Sequence, residues 1–280
     1  MTPWRLVHCD GRAASAGDLA TPALLNDGHF TTLQVRDGAV QGLDLHVERL
    51  RDASRQLFGT DEAPARIFAA MRAALDALGQ ADATLRITIF PEAASSPADA
   101  PTRILVAAGL PWAPETQPLR LRGYRYMRHL PEIKHVGTFP LFNHRRLARA
   151  EGFDDALFVD DGGRVCEGSV WNLALWDGVR VLWPRASALR GTRERLLQAA
   201  FAAMGVPQAE AVVPLERLPS LAGLACNARG VQPLAAIDGR PMQDPGPLQA
   251  LAAEADTRTP WTPIPGAEEV SPTVGVTGPL

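Results

Sequence analysis

The sequence of 280 residues contains one lysine, Lys134, among 28 lysine and arginine side chains. Most lysines lie on protein surfaces, so a surface position is one interpretation of Lys134. In a chain that uses arginine everywhere else, however, a solitary lysine between Ile133 and His135 is a candidate for chemistry. An amine with a lowered pKa and a fixed position forms a Schiff base with an aldehyde. The scarcity of lysine therefore makes residue 134 the first candidate for a reactive group.

Cysteine is also scarce. Cys9, Cys166 and Cys226 are far apart in the sequence and show no paired spacing. This pattern argues against a disulfide framework and a metal site, and it is typical of a protein in the reducing cytoplasm. The first residues lack the apolar run of a secretory signal, and no window approaches the roughly 18 to 20 apolar residues of a membrane helix. We therefore predict a cytoplasmic protein without a metal or a membrane span.

A surplus of positive charge is missing as well, because the formal net charge is −3. General binding to nucleic acid requires a strongly basic surface, so the net charge argues against this class of function. Hydrophobic residues make up 46% of the chain, which is enough for a packed core at this length. Composition thus indicates a soluble globular protein.

Changes of composition along the chain predict two domains of mixed helix and strand, in the α+β or α/β class. Residues 1–110 are expected to form a small domain of strands and two helices. Residues 111–118 contain three prolines and predict a linker, after which residues 119–256 form a larger domain. Residues 257–280 contain five prolines and three glycines, so we predict a flexible tail.

Periodicity and turn residues predict the individual elements. Helices are expected at about residues 45–58, with Asp44 as the N-cap, and at residues 64–78 and 192–204. Residues 18–28 are expected to form a loop.

Three further positions are candidates for binding a charged ligand. Glu167 lies on a glycine-containing turn, where it is either a surface carboxylate or a partner for a protonated ring nitrogen. Gly191 and Thr192 open a predicted helix, and such a helix start is either simply capped or binds a phosphate. Arg49 lies on a predicted helix and either extends to water or turns inward as a phosphate partner.

Seven short motifs occur in an order that resembles the class IV aminotransferases, which are pyridoxal 5'-phosphate (PLP) enzymes of fold type IV. The resemblance covers about Leu24 to Arg240. The motifs are Phe30-Thr31-Thr32, His46-x-x-Arg49-Leu50, Ile133-Lys134-His135, Asp155-Ala156-Leu157, Glu167-Gly168-Ser169-x-x-Asn172, Leu189-x-Gly191-Thr192 and Cys226-Asn227-Ala228. The first, third and seventh are most similar to the aminodeoxychorismate lyase branch of the family.

The resemblance implies a role for each matching residue. Lys134 falls at the family's Schiff-base lysine, and Glu167 falls at the carboxylate that pairs with the pyridine nitrogen. The other implied cofactor contacts, which surround the phosphate and one face of the ring, are Arg49, Leu189, Gly191, Thr192, Asn227 and Ala228. In a lyase reaction, Thr31 and Arg128 would in addition assist with the substrate, by hydrogen bonding and by pairing with a carboxylate.

By resemblance, the chain is a homodimeric, PLP-dependent aminotransferase that moves an amino group between an amine or amino acid and a 2-oxo acid. The alternatives are an aminodeoxychorismate lyase, which releases pyruvate and 4-aminobenzoate, and a PLP-binding protein without turnover. Val136-Gly137 stand where the lyases usually carry Leu-Asn, and Gly191-Thr192-Arg193 is one residue shorter than the family's usual helix start. These departures favour transamination over the lyase reaction.

Overall fold

The computed structural model describes residues 4–92 and 101–266. The strands are β1 (Trp4–Cys9), β2 (Arg12–Ala13), β3 (His29–Val35), β4 (Ala39–Gln41), β5 (Ala83–Pro91), β6 (Thr102–Gly109), β7 (Leu119–Arg125), β8 (Asp155–Val159), β9 (Val165–Gly168), β10 (Asn172–Trp176), β11 (Val181–Pro184), β12 (Gln208–Ala211), β13 (Ala222–Asn227), β14 (Gly230–Ile237), β15 (Arg240–Pro241) and β16 (Trp261–Pro263). The helices are α1 (Ala16–Leu24), α2 (Leu43–Phe58), α3 (Pro64–Leu78), α4 (Phe139–Ala150), α5 (Thr192–Ala203) and α6 (Gly246–Arg258), with a 3-10 helix at Leu215–Ser220. Within these ranges no helix has the length and apolar character that a membrane crossing requires.

The first sheet is antiparallel and has the strand order β2-β1-β6-β5-β3. Helices α2 and α3 cover one face, where Leu50 packs with Leu33 and Ile87 in an apolar core. Because successive strand residues point to opposite faces, Phe30 on β3 and Arg86 on β5 lie on the other face of the sheet. That second face borders the candidate site.

The second sheet has the order β12-β11-β10-β13-β14-β7-β8-β9, with β15 paired to β14. Strand β7 runs parallel to both β8 and β14, whereas β9 and β10 pair with antiparallel neighbours. Helices α5 and α6 contribute Phe201 and Leu248 to a core on this sheet, and α4 packs through Leu141 against Phe158. Glu167 lies on β9, which is the strand at one end of this order, and its side chain is buried.

The segment between the sheets, residues 110–118, contains no helix or strand. Arg36 donates a hydrogen bond to the carbonyl of Trp112 at 3.2 Å, and Arg229 donates to the carbonyl of Ala113 at 3.3 Å. The segment thus contacts residues of both sheets. We propose that the sheets correspond to domains 1–110 and 119–256, joined by residues 111–118.

The predicted loop at residues 18–28 is wrong over residues 18–24, which belong to α1. The Ser15 hydroxyl accepts the Asp18 N–H at 3.2 Å, and the Asp18 carboxylate accepts the Ser15 N–H at 2.8 Å. This reciprocal capping box satisfies two backbone donors and starts the helix. Ser15 and Asp18 form the Ser-x-x-Asp pattern that marks this helix start in the sequence.

Helix α2 begins at Leu43, slightly before the predicted start, and Asp44 is not its N-cap. Gly42 occupies that position with a φ of 66°, a left-handed conformation that glycine adopts without steric cost. Asp44 instead lies in the first turn, where its charge complements the helix dipole. The prediction of a helix at residues 64–78 is confirmed by α3.

The predicted flexible tail from residue 257 is wrong for residues 257–266; its remainder, 267–280, lies outside the described residues. Helix α6 continues to Arg258, and β16 pairs antiparallel with β4, with Trp261 opposite Gln41. The Gln41 amide also donates to the carbonyls of Asp256 and Thr259, each at 3.2 Å. These partners are more than 200 positions away in the sequence, so local composition gave no sign of them.

Candidate active site

The backbone around Lys134 is fixed against the start of β3. The Phe30 N–H donates to the Lys134 carbonyl at 2.9 Å, and the Val136 N–H donates to the Gly28 carbonyl at 2.9 Å. His29 and His135 form an isolated antiparallel bridge between these two hydrogen bonds. The Lys134 Nζ atom consequently lies 5.0 Å from the centroid of the Phe30 ring. The single lysine is therefore held at a defined position and not on a free loop.

The environment of Lys134 favours a neutral amine. Part of the residue is exposed, but protein surrounds its amine, and this burial lowers the pKa of Lys134 well below its usual range. The nearby cations Arg49 and Arg128 lower the pKa further, while Glu167 acts in the opposite direction. An uncharged amine is the form that attacks an aldehyde, so the environment suits a Schiff-base lysine.

Glu167 lies near the end of β9 and is 6% exposed. Burial raises the pKa of Glu167 to about 7, although Arg128, Lys134 and a hydrogen bond from the Leu189 N–H oppose the rise. The Nε atom of Arg128 is 3.2 Å from Glu167 Oε1, within ion-pair distance but without hydrogen-bond alignment. The carboxylate is thus a buried group that changes charge near neutral pH.

The turn after Glu167 is held by a buried polar network. The carboxylate of Asp155 accepts hydrogen bonds from the Ser169 hydroxyl at 2.6 Å and the Trp171 indole at 3.0 Å. Arg145 on α4 pairs with the same carboxylate at 2.8 Å. The Gly168 N–H donates to the Trp171 carbonyl at 2.8 Å. These contacts fix the peptide group directly after Glu167.

Gly168 is required because the Trp171 ring occupies the space of a side chain. A Cβ at residue 168 would lie 2.0 Å from a ring carbon of Trp171, so Gly168→Ala is expected to lower the free energy of unfolding by about 2 kcal/mol or more. Urea unfolding of the two proteins measures this difference. Gly17→Ala is the control, because its Cβ meets an atom only at 3.7 Å, and it should change the stability by less than about 1 kcal/mol. Equal losses in both variants contradict the packing argument.

The start of α5 and Arg49 form one cationic corner. Arg49 donates a 2.7 Å hydrogen bond to the carbonyl of Arg190, the residue before Gly191. A Cβ on Gly191 would lie 2.3 Å from Asn172 Oδ1, so only glycine fits at this helix start. The first N–H groups of a helix have no intrahelical acceptor and carry partial positive charge. Together with Arg49 and the Thr192 hydroxyl, they suit a phosphate group.

The turn between β13 and β14 lies beside this corner. The Asn227 side chain accepts the Arg229 N–H at 2.8 Å, which shapes the turn at Ala228. Ala228, Thr192 and His46 line the same small cavity. The two chain segments that the resemblance assigns to the phosphate are therefore neighbours in space, although Thr192 and Asn227 are 35 positions apart in the sequence.

Two other predicted residues lie in firmly packed surroundings. Leu189 is buried, and its carbonyl accepts a 2.6 Å hydrogen bond from Asn172. Thr31 has no exposed surface, and its hydroxyl lies 2.6 Å from Nδ1 of His46. Burial, and then the cations Arg49, Arg193 and Lys134, lower the pKa of His46 well below its usual range. Contact between Thr31 and a substrate stays a prediction, because the hydroxyl already has a buried partner.

Arg86 is a residue of this site that the sequence analysis missed. Its guanidinium lies 3.4 Å from the centroid of the Phe30 ring, the same ring that borders Lys134. Among the residues that the structure describes, Arg86 has no hydrogen-bond or ion-pair partner, and burial lowers its pKa to about 10. A half-buried, unpaired cation beside the lysine suits an anionic ligand. The alternation along β5 was the available signal, since Arg86 falls between the apolar residues Leu85 and Ile87.

The sequence of this chain matches a known protein family. The sequence model described as amino-transferase class IV matches residues 28–237. Sequence comparison with curated proteins finds no match.

Solved structures of aminotransferases share the fold. The branched-chain aminotransferase from Thermoproteus uzoniensis, solved with norvaline, is 20% identical with a TM-score of 0.79, over 90% of this chain and 93% of that one. The T.th. branched-chain amino acid aminotransferase, complexed with N-(5'-phosphopyridoxyl)-L-glutamate, is 18% identical with a TM-score of 0.80, over 95% and 100%. A protein from Legionella pneumophila, provisionally named a 4-amino-4-deoxychorismate lyase, is 19% identical with a TM-score of 0.75, over 84% and 92%.

These structures share the mixed α/β architecture of fold type IV with this chain, which confirms the predicted fold class. The family match covers three quarters of the sequence and includes every position from Gly28 to Ile237. The chain belongs to the class IV aminotransferases.

Proposed function

We propose that this protein is a PLP-dependent aminotransferase that moves an amino group between an amine or amino acid and a 2-oxo acid. The observation that carries the proposal is that the single lysine and one buried carboxylate lie in one site. The guanidinium of Arg128 is 3.2 Å from Glu167 Oε1 and donates a 3.4 Å hydrogen bond to the carbonyl of Ile133, the residue before Lys134. The family and its PLP-bound and PMP-bound members support the cofactor.

The residues of the site fit PLP at each of its functional groups. A neutral Lys134 suits the aldehyde, and Glu167 suits the protonated pyridine nitrogen. Arg49 and the α5 start at Gly191 and Thr192 suit the phosphate. When bound, PLP supplies an electron sink that stabilises a carbanion at the carbon bearing the amino group.

The side chains divide the work of proton transfer and charge stabilisation. The Nζ atom of Lys134, once it is not bound to the aldehyde, accepts the proton from the substrate carbon. The same atom then delivers this proton to the cofactor. It can act as this base because burial, and then the cations Arg49, Arg128 and Arg86, lower the pKa of the amine. The ionised carboxylate of Glu167 holds a proton on the ring nitrogen, and the packed turn at Gly168 keeps that carboxylate in position.

Arg86 is proposed to bind the carboxylate of the amino acid and 2-oxo acid substrates. It is the cation beside Lys134 that lacks a hydrogen-bond or ion-pair partner in the described ranges, and its guanidinium carbon lies 3.4 Å from the centroid of the Phe30 ring. A guanidinium can donate two parallel hydrogen bonds to a carboxylate. The orientation of the substrate at Lys134 follows from this anchor.

Arg86→Met is expected to raise the KM of a 2-oxo acid by roughly 10- to 100-fold, because a charge-assisted pair is lost. Steady-state kinetics with varied 2-oxo acid measures the effect. The matched control is an amine donor without a carboxylate, whose KM the substitution should leave nearly unchanged. Equal increases for both substrates would show that Arg86 supports the fold and not the carboxylate.

The lyase reaction is the second candidate function. The motifs at Phe30, Ile133 and Cys226 support it, as does the structural similarity to the Legionella protein. In this alternative, the same base and the same carboxylate act on aminodeoxychorismate, which releases pyruvate and 4-aminobenzoate. We favour transamination because Val136 and Gly137 depart from the lyase pattern.

One set of assays separates these possibilities. Purified protein is supplied with PLP, and its absorbance is followed with D-alanine or an (R)-amine as donor and 2-oxoglutarate as acceptor. Aminotransferase activity gives an amine-dependent change of the spectrum and formation of glutamate. Release of pyruvate from aminodeoxychorismate without an acceptor shows the lyase. Bound PLP whose spectrum no amine changes shows a binding protein without turnover.

We also propose that the enzyme is a homodimer in the cytoplasm. Leu24 is 82% exposed and Phe139 is 69% exposed. Their segments adjoin, since the Asn26 amide lies 3.9 Å from the place of a Cβ on Gly137. Apolar groups so exposed beside a site support coverage by a second copy. Three buried cysteines without disulfides in the described chain support a reducing compartment.

A further inference from the structure

Arg128 connects the two ends of the proposed cofactor site. Its side chain is 4% exposed, and its Nε atom lies 3.2 Å from Glu167 Oε1. Its Nη1 atom donates to the carbonyl of Ile133 at 3.4 Å, which is the peptide group directly before Lys134. The guanidinium of Arg128 therefore contacts both the segment that carries Lys134 and the carboxylate of Glu167, which is 39 positions after Arg128 in the sequence.

We propose that Arg128 is a positioning residue, which holds Glu167 ionised and aligned, and that it does not bind the carboxylate of the substrate. This inference rests on the proposed PLP-dependent function and specifies how the site keeps its acid group charged. In the sequence analysis Arg128 was expected to pair with a carboxylate of the substrate. Here it is instead the ion-pair partner of Glu167.

The accessibility of the two arginines supports this division. A residue that pairs with an incoming carboxylate must present its guanidinium to the ligand, and Arg128 is enclosed and already faces an acid. Arg86, in contrast, lacks any ion pair in the described chain and stacks on the ring next to Lys134. Arg86 is therefore the arginine available to the carboxylate of the substrate, whereas Arg128 pairs with the carboxylate of Glu167.

The charges around Glu167 show why a permanent cation is required. The titratable groups that influence Glu167, or that it influences, are Arg128, Lys134, Glu194, Cys166 and Tyr126. Lys134 is a weak counter-charge because its own pKa is depressed, and Glu194 is an acid that raises the pKa of Glu167. A guanidinium keeps its charge at any ordinary pH. Arg128 is also the sole ion-pair partner of Glu167 among residues 4–92 and 101–266.

The test compares the pH profiles of wild type, Arg128→Met and Arg128→Lys holoenzymes. Without the cation, Glu167 takes up a proton at higher pH, so the acidic limb of kcat/KM should move up by about one pH unit or more. At pH 7 the Met variant should lose about fivefold or more in kcat/KM and recover toward pH 9. Arg128→Lys retains a cation and should keep the limb within about half a unit of wild type. The KM of the 2-oxo acid at pH 9 should stay within about twofold of wild type, unlike that of Arg86→Met.

A second measurement does not depend on turnover. The infrared carboxyl band of Glu167, identified by difference from Glu167→Gln, should show an ionised carboxylate in the wild-type holoprotein at pH 7.5. If Arg128→Met does not fold, this measurement and the Lys variant decide the question. A protonated Glu167 in the wild-type holoprotein at pH 7.5 overturns the role of Arg128. A loss of kcat/KM in Arg128→Met that is equal at all pH values overturns it as well. Failure of the wild type to form a reducible PLP adduct instead overturns the proposed function itself.

Discussion

Lys134→Ala is expected to abolish transamination, with a loss in kcat of about 10^4-fold or more, because the variant loses both the group that binds the aldehyde and the base that moves the proton. It should also remove the adduct that borohydride traps between PLP and the protein. In the wild type the trapped adduct should map to the peptide containing Lys134, because no other lysine exists in the chain. Turnover assays and mass spectrometry of the reduced protein measure both outcomes.

The scarcity of lysine offers a matched control. Arg55 is exposed and lies on α2, so Arg55→Lys combined with Lys134→Ala restores one lysine at a surface position. That double variant should show neither turnover nor a trapped adduct at residue 55. An adduct that persists in Lys134→Ala on another amine, with activity retained, would contradict the role of Lys134.

Sequence alone could locate the groups whose signal is local. Lys134 was identifiable by its rarity, and Gly191-Thr192 by the helix that follows. Glu167 was identifiable only by resemblance, because a carboxylate on a glycine-containing turn is common. The capping signal of α1 is equally local, because Ser15 and Asp18 form the Ser-x-x-Asp pattern of a capping box. Such features depend on a few adjacent residues, so a single chain contains the information.

Contacts between distant segments could not be predicted in this way. The ion pair of Arg128 with Glu167 joins the segment after β7 to β9, and the contact of Arg86 with Phe30 requires the pairing of β3 with β5. The same holds for β16, which pairs with a strand near the other end of the chain. Pattern and propensity describe one element at a time, whereas these contacts depend on how elements pack. The division of roles between two arginines therefore required the structure.

Glu167→Gln is expected to lower kcat by about 10^2- to 10^3-fold, because a neutral amide cannot stabilise positive charge on the ring nitrogen as the carboxylate does. The sign of the pH dependence follows from the raised pKa of Glu167, which is about 7. Below that pH the wild-type group is protonated and neutral, and above it the group is charged. Wild-type kcat/KM should therefore rise through pH 7, whereas the amide variant should lack this rise.

Glu167→Asp is the matched control for charge. It keeps a carboxylate on the packed turn but shortens its reach, so it should retain the rise of kcat/KM with pH while losing part of kcat. Profiles from pH 5.5 to 9 for the three proteins measure the effect at saturating PLP. If Glu167→Gln keeps the same acidic limb as the wild type, another group is responsible for the limb. In that case the buried carboxylate supports the turn beside Trp171 and does not control the charge of the cofactor ring.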